Sequence, residues 1–118
     1  MTLPRRIPKP QKRATRWRSQ AHCSFVRSHA CSVCGSTAAI EVAHVRLGSG
    51  AGMGQKPDDW NTVSLCKTCH QRQHNLGEAT FWHPNRSGRD VHQLIREFIA
   101  ASPRRAQIEQ EMRERQNG

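Results

Sequence analysis

Two C-x2-C pairs constrain this chain more than anything else in it: Cys31-Ser-Val-Cys34 and Cys66-Lys-Thr-Cys69, separated by thirty-one residues. Paired thiols at that spacing, brought together from two distant segments, offer the four sulfur ligands of a closed tetrahedral zinc site. A chain of 118 residues with 35% hydrophobic content, three Trp, three Phe and no Tyr has little from which to build a large core. It needs a staple. A disulfide framework is the rival, but no apolar leader-like stretch precedes the cysteines, so an oxidising compartment is not implied and a cytoplasmic location is expected. A structural Zn2+ is the better staple, because its binding contributes on the order of 10 to 16 kcal/mol to the folding of small domains. Cys23, the fifth cysteine, lacks a partner at this spacing and reads as a small buried hydrophobe.

Charge narrows the choice of partner. Nineteen Lys and Arg against nine acids leave a formal net charge of +10, which favours a polyanion, and nucleic acid above all. An anionic membrane is the weaker option, since no amphipathic helix with a broad aromatic face is present. Nor does any apolar run approach the roughly 18 residues of a membrane span, so a soluble protein with no membrane partner is expected. The first twenty residues hold Arg5, Arg6, Lys9, Lys12, Arg13, Arg16 and Arg18 without one acid, broken by Pro4, Pro8 and Pro10. Residues 1–20 therefore read as a disordered basic arm whose charges, Arg13 and Arg16 among them, contact phosphates without reading bases.

Residues 38–45 alternate well enough for a strand that puts Ile40, Val42 and His44 on one face. The glycine-rich run from Gly48 to Lys56 is an irregular loop; Gln55 and Pro57 spoil a phosphate-loop reading. Thr62 to Leu65 forms a second strand, and Cys66 to Leu76 a helix closed by Gly77. Val91, Leu94, Ile95, Phe98 and Ile99 make the apolar stripe of a covering helix. Ser102 and Pro103 open a last helix whose tail, with only Ile108 and Met112 as an apolar seam, is expected to fray or to pair with another chain. The fold class is small α+β: a ββα-metal, treble-clef-like zinc finger over residues 21–85, with flanking helices over 86–118.

His70 and His74 stand four apart on the predicted helix, on one face, with Cβ atoms roughly 5 to 6 Å apart, which suits one metal ion. With one oxygen ligand they leave positions open for water and a phosphate oxygen, as a catalytic site requires. Alternatively, His70 completes the structural zinc and His74 faces solvent.

The order Ile40-Glu-Val-Ala-His44-Val, then Asn61-Thr-Val-Ser-Leu-Cys66-Lys-Thr-Cys69-His70, resembles the HNH nuclease family over about residues 29 to 83. The resemblance implies that His44 is the general base that activates water, that Asn61 braces the loop carrying it, and that His70 binds a catalytic metal with His74 as a second histidine ligand. A closer likeness, through Trp17-Arg, Gly52-Met-Gly-Gln-Lys56, Asp59 and Gly77-Glu-Ala-Thr-Phe81, is to the phage and prophage HNH group that includes the RecA-dependent Ref nuclease and the YbcO-like proteins. It implies DNA cleavage in recombination, repair or phage replication, with a recombinase filament as a further partner.

One departure stands out. Most members of the family it resembles carry an acidic or second histidine ligand directly before the general base, and here that position is Ala43. Asp59 is the preferred substitute; Glu41, His74 and water are alternatives. The mechanism expected is proton transfer to a neutral His44, with Mg2+ or Mn2+ on His70 and His74 stabilising charge at phosphorus and Arg46, Lys56 and Arg72 holding phosphates. Trp60 and Trp82 are expected in the core rather than stacked on bases. The rival is a non-catalytic zinc module that binds DNA or a recombination protein, which would need neither His44 nor Asn61.

Overall fold

The computed structural model describes residues 2–7, 16–51 and 56–117. Lys9, Lys12, Arg13 and the stretch from Gly52 to Gln55 lie outside the described residues. Along the chain run α1 (Gln20–Arg27), β1 (Ile40–His44), β2 (Thr62–Cys66), α2 (Lys67–Leu76), α3 (Glu78–Phe81), α4 (Pro84–Ser87), α5 (Val91–Ala101) and α6 (Arg105–Asn117). The class is small α+β. Among the described residues no helix is long and apolar enough to cross a membrane.

The two strands pair antiparallel, with Ile40 opposite Cys66 and His44 opposite Thr62. A strand rises about 3.4 Å per residue, so the cysteine end and the histidine end of this ribbon lie about 14 Å apart. The helix α2 starts at the cysteine end and packs on both strands. Every residue of β2 is buried, enclosed by β1, α1, α2 and α5. Ala43, Val45, Val63 and Leu65 are completely buried, and Trp17, Trp60, Phe81, Trp82 and α5 residues Val91, Leu94, Ile95 and Ile99 enclose them. Both Trp60 and Trp82 serve the core, Trp82 donating through Nε1 to buried Gln73 Oε1 at 2.8 Å.

Helix ends follow local chemistry. Ser19 accepts from the His22 N–H and starts α1, and Asp90 accepts from the His92 and Gln93 N–H groups and starts α5, caps worth roughly 1 kcal/mol each. Gly77, at φ +82, ends α2 after the histidine-bearing turns.

Two expectations need correction. The arm ends earlier than residue 20: Trp17 is buried, its N–H donates to Asp58 Oδ1 at 2.6 Å, and its carbonyl accepts from the Asp59 N–H at 2.9 Å. Residues 16–19 are thus part of the folded unit, while Leu3 and Ile7 are exposed. The chain then runs directly into helix α1. Nor does the tail fray. The α6 helix packs on α5, Ile108 is fully buried, and Arg115 near its end donates to Asp58 Oδ2 at 2.7 Å. Burial of an Ile side chain is worth roughly 1.5 to 3 kcal/mol, enough to dock a helix that mixed charge alone would leave free.

Candidate metal centre and histidine cleft

The first cysteine pair sits in a tight turn in which the Cys31 N–H donates to Ser36 O at 2.8 Å and the Gly35 N–H to Cys31 O at 3.0 Å. Gly35 takes φ +77, a conformation an L side chain resists, and this folds Cys34 back toward Cys31. The second pair is set by a strand-to-helix junction. Cys66 ends β2 and caps α2, its Sγ accepting the Cys69 N–H at 3.4 Å.

Ligand atoms of Cys31, Cys34, Cys66 and Cys69 all lie within 4.8 Å of one another, and Cys34 Sγ stands 3.6 Å from Cys66 Sγ. A disulfide would need about 2.05 Å. Tetrahedral sulfurs at about 2.3 Å from a zinc ion stand roughly 3.8 Å apart, so the donor set fits that ion. Its electrostatics agree. Burial works against the Cys31 thiolate, but N–H groups around it outweigh that and bring its pKa down to about 6. Burial and the neighbouring thiols push Cys69 upward, a shift that a cation among the sulfurs would oppose.

At the other end of the ribbon, His44, Arg46, Lys56, His70, His74 and Glu78 line a cleft of about 610 Å³ between β1 and α2. His44 is largely buried and its Nε2 lies 2.8 Å from Asp59 Oδ1. Burial holds the His44 pKa below the ordinary value of 6.5, the Asp59 hydrogen bond and charge offsetting only part of the drop. Burial raises Asp59 in turn, yet hydrogen bonds from His44 and the Ser19 N–H, with the charges of His44 and Arg18, leave it below the usual carboxylate range. An ionised Asp59 accepts, so His44 donates through Nε2–H and keeps Nδ1 as its basic nitrogen.

The rings of His70 and His74 stand 4.8 Å apart by centroid. His70 Nδ1 pairs with Glu41 Oε1 at 2.8 Å, leaving Nε2 as the free ring nitrogen. Two of the three cleft histidines are thus paired with an acid, His44 with Asp59 and His70 with Glu41.

This redistributes the roles read from sequence. Asp59, expected on a catalytic metal, is shared among His44, the Ser19 N–H at 2.8 Å and Arg18 at 3.3 Å. Among the described residues the cysteines are the group of three or more potential ligands close enough to share an ion. Ala43 is fully buried in the core, on the strand face opposite His44, so its position points away from the cleft. The Asn61 carbonyl accepts the Val45 N–H at 2.8 Å, continuing the strand pairing just beyond His44. Arg46 and Lys56 line the cleft, whereas Arg72 is exposed on α2 outside its lining. Arg16 is drawn inward, 3.6 Å from the buried carboxylate of Asp58, which needs a counter-charge.

Glu78 escaped the sequence reading. Its carboxylate accepts from the Arg46 N–H at 2.9 Å and the Leu47 N–H at 3.0 Å, pinning the turn that follows β1. Gly48 continues that turn at φ +72, where a Cβ would meet the His92 ring at 3.0 Å. No local pattern marks a glutamate that works thirty-two residues away.

The chain is thus a small α+β protein with a cluster of four cysteines that could hold a metal ion at one end of its ribbon and a basic histidine cleft toward the other. It belongs to the family described as "Protein of unknown function (DUF968)", whose model matches residues 5–102. No curated protein and no solved structure matches it.

Proposed function

We propose that this protein is a metal-dependent HNH endonuclease of ββα-metal, treble-clef type that hydrolyses DNA phosphodiester bonds, of phage or prophage kind and acting in recombination or repair. The observation that carries the reading is the meeting of His44 with the His70–His74 pair and two cations in one cleft. The antiparallel ribbon followed by α2 supports it, as does the net charge of +10.

The chain's own residues divide the work. His44 is neutral at physiological pH, and its Nδ1 takes the proton of the water that attacks phosphorus. Asp59 fixes the imidazole's tautomer and stabilises it once protonated. Lys56 and Arg46 hold the phosphate. His70 and His74 would hold a catalytic Mg2+ or Mn2+, which supplies charge stabilisation at the phosphate and the leaving oxygen. Glu41 orients His70 by taking its Nδ1–H, the usual service of a carboxylate to a metal-binding histidine.

The test is direct. Zinc-loaded protein is incubated with supercoiled and with single-stranded DNA in Mg2+ or Mn2+. The wild type cleaves, and His44→Ala loses roughly 10²- to 10⁴-fold of the rate. Undiminished cleavage by His44→Ala would remove His44 from the mechanism. No cleavage under any metal would leave the non-catalytic DNA-binding zinc module.

A further inference from the structure

Asp59 does not hold His44 alone. Its neighbour Asp58 is almost wholly buried, and the two carboxylates face different partners. Asp58 Oδ1 accepts the Trp17 N–H at 2.6 Å, and its Oδ2 accepts Arg115 Nη1 at 2.7 Å with Arg16 Nη1 at 3.6 Å. Asp59 Oδ2 accepts the Ser19 N–H at 2.8 Å while Oδ1 faces His44. Arg18 closes the same knot, donating to Lys56 O at 3.0 Å and to the Pro57 carbonyl. The guanidinium of Arg115 also lies 4.9 Å from the Trp60 ring, and Trp60 packs 5.6 Å from Trp17.

The segment 58–61 is therefore gripped from both sides, by the N-terminal residues 16–19 and by the last turns of α6. It is the exit of a long connection between β1 and β2, a kind of segment with no regular structure of its own to hold a side chain still. Two features of α6 bear on this grip. Arg115 reaches across 57 residues of sequence to a carboxylate that would otherwise be buried beside a single N–H and a more distant Arg16. Arg105 at the start of α6, by contrast, pairs with Glu109 of its own helix at 2.9 Å.

We propose that α6 is a positioning clamp for the cleft, and that Arg115, through Asp58 and Trp60, sets the loop from which Asp59 orients the His44 imidazole. Arg115 is a positioning residue: it reaches His44 only through the loop. The proposal rests on the nuclease reading for its effect on rate, but its structural half is measurable without cleavage.

The experiment compares wild type, Arg115→Ala, Arg115→Lys and Arg105→Ala as full zinc-loaded chains. Zinc content and far-UV circular dichroism verify the fold. Imidazole ¹⁵N spectra then read the His44 tautomer, which the Asp59 bond holds as Nε2–H. In Arg115→Ala the His44 signals should move toward a mixture of tautomers, with those of His70 staying in place. Arg115→Lys, which keeps the charge without the flat stacking surface, should recover part of the shift. Arg105→Ala should leave His44 unchanged. In cleavage assays Arg115→Ala should lower kcat by roughly ten- to a hundredfold, the scale of a small misplacement, with KM for DNA held.

Unchanged His44 signals in folded Arg115→Ala would overturn the proposal. So would an equal shift in Arg105→Ala, which would mean that helix stability alone is being read. If Arg115→Ala fails to fold, Asp58→Asn, which keeps the acceptor for Trp17 but weakens the Arg115 pair, decides by the same signals. A tautomer shift in a protein that never cleaves DNA would keep the clamp and discard the nuclease.

Discussion

The two ends of the β-ribbon solve opposite problems with similar residues. At the cysteine end, four ligand atoms already converge, held by a glycine turn, a helix cap and N–H groups directed at sulfur. At the histidine end the rings converge on a cleft, but the carboxylates that might join them are bonded to the histidines instead. A closed set of four thiols suits a structural ion, whereas histidines with their acids behind them keep other ring nitrogens free. In the structure both acids bond to imidazole nitrogens, Asp59 to His44 and Glu41 to His70. Asp59 and Glu41 are better understood by which imidazole nitrogen they occupy, and hence which nitrogen they leave free.

The largest effect that tests this contrast is loss of the closed site. Cys66→Ala, which removes a ligand and the cap of α2, should abolish both tight zinc and the folded state, since a structural zinc supplies about 10 to 16 kcal/mol. Metal analysis of the purified protein and far-UV circular dichroism check it. His70→Ala should retain close to one zinc and the wild-type spectrum. Zinc loss in His70→Ala would merge the two sites into one.

Next come the acids of the open site. Asp59→Asn should fold with its zinc yet cleave DNA roughly ten- to a hundredfold more slowly, because the amide no longer fixes the His44 tautomer by charge. Glu41→Gln should lower the affinity of the catalytic metal by a similar factor, read as a higher metal concentration for half-maximal cleavage. If Asp59→Asn changed the metal requirement rather than the rate, Asp59 would be a ligand after all and its pairing with His44 would rearrange on binding.

The legible and illegible parts of this molecule separate by sequence distance. The cysteine pairs, the strand ending in His44, the α2 histidines and the α5 stripe are patterns within a few residues, and spacing reveals them. Asp58, Asp59, Glu78 and Arg115 act across spans of fifteen to fifty-seven residues, and no periodicity records such a pairing. Residues 16–19 were concealed differently. Trp17 and Ser19 stand among arginines in a run without acids, so composition assigned them to the arm, although one is core and the other caps α1. The α1 helix itself, QAHCSFVR, buries only His22 and Val26, too little for an apolar stripe to announce it.

A smaller effect concerns pH. His44 has a folded pKa below 6.5, so it stays neutral, and the rate stays level, as pH falls to 6.5; the rate drops only as pH passes through the lower folded value. Asp59 raises that value, so Asp59→Asn should move the acid limb of the pH–rate profile to lower pH while lowering the plateau. Stability follows the same sign. The pKa values of His44 and of fully buried His22 are both depressed, so the unfolded chain takes up protons first. Stability is lost as pH falls from 6.5 through the folded values, and thermal melts between pH 7 and 5 measure it. An acid limb above 6.5 would assign the base to another group.

The smallest effect separates the arm from the knot it leads into. Deleting residues 1–15 removes Arg5, Arg6, Lys9, Lys12 and Arg13 but spares Trp17, Arg18 and Ser19. DNA affinity should weaken, and its dependence on salt should flatten by about 0.9 unit of logarithmic slope for each phosphate the arm no longer neutralises. Melting temperature and turnover at saturating DNA should hold. Deleting residues 1–18 takes three more side chains, and one of them is a buried tryptophan stacked on Trp60. It also removes the N–H that satisfies Asp58, so stability and turnover should fall together. Binding titrations at several salt concentrations, with melts of both proteins, make the comparison. Equal behaviour of the two truncations would return residues 16–18 to the arm. A flat response to the shorter deletion would leave the cleft, with Arg46 and Lys56, as the chain's principal phosphate-binding surface.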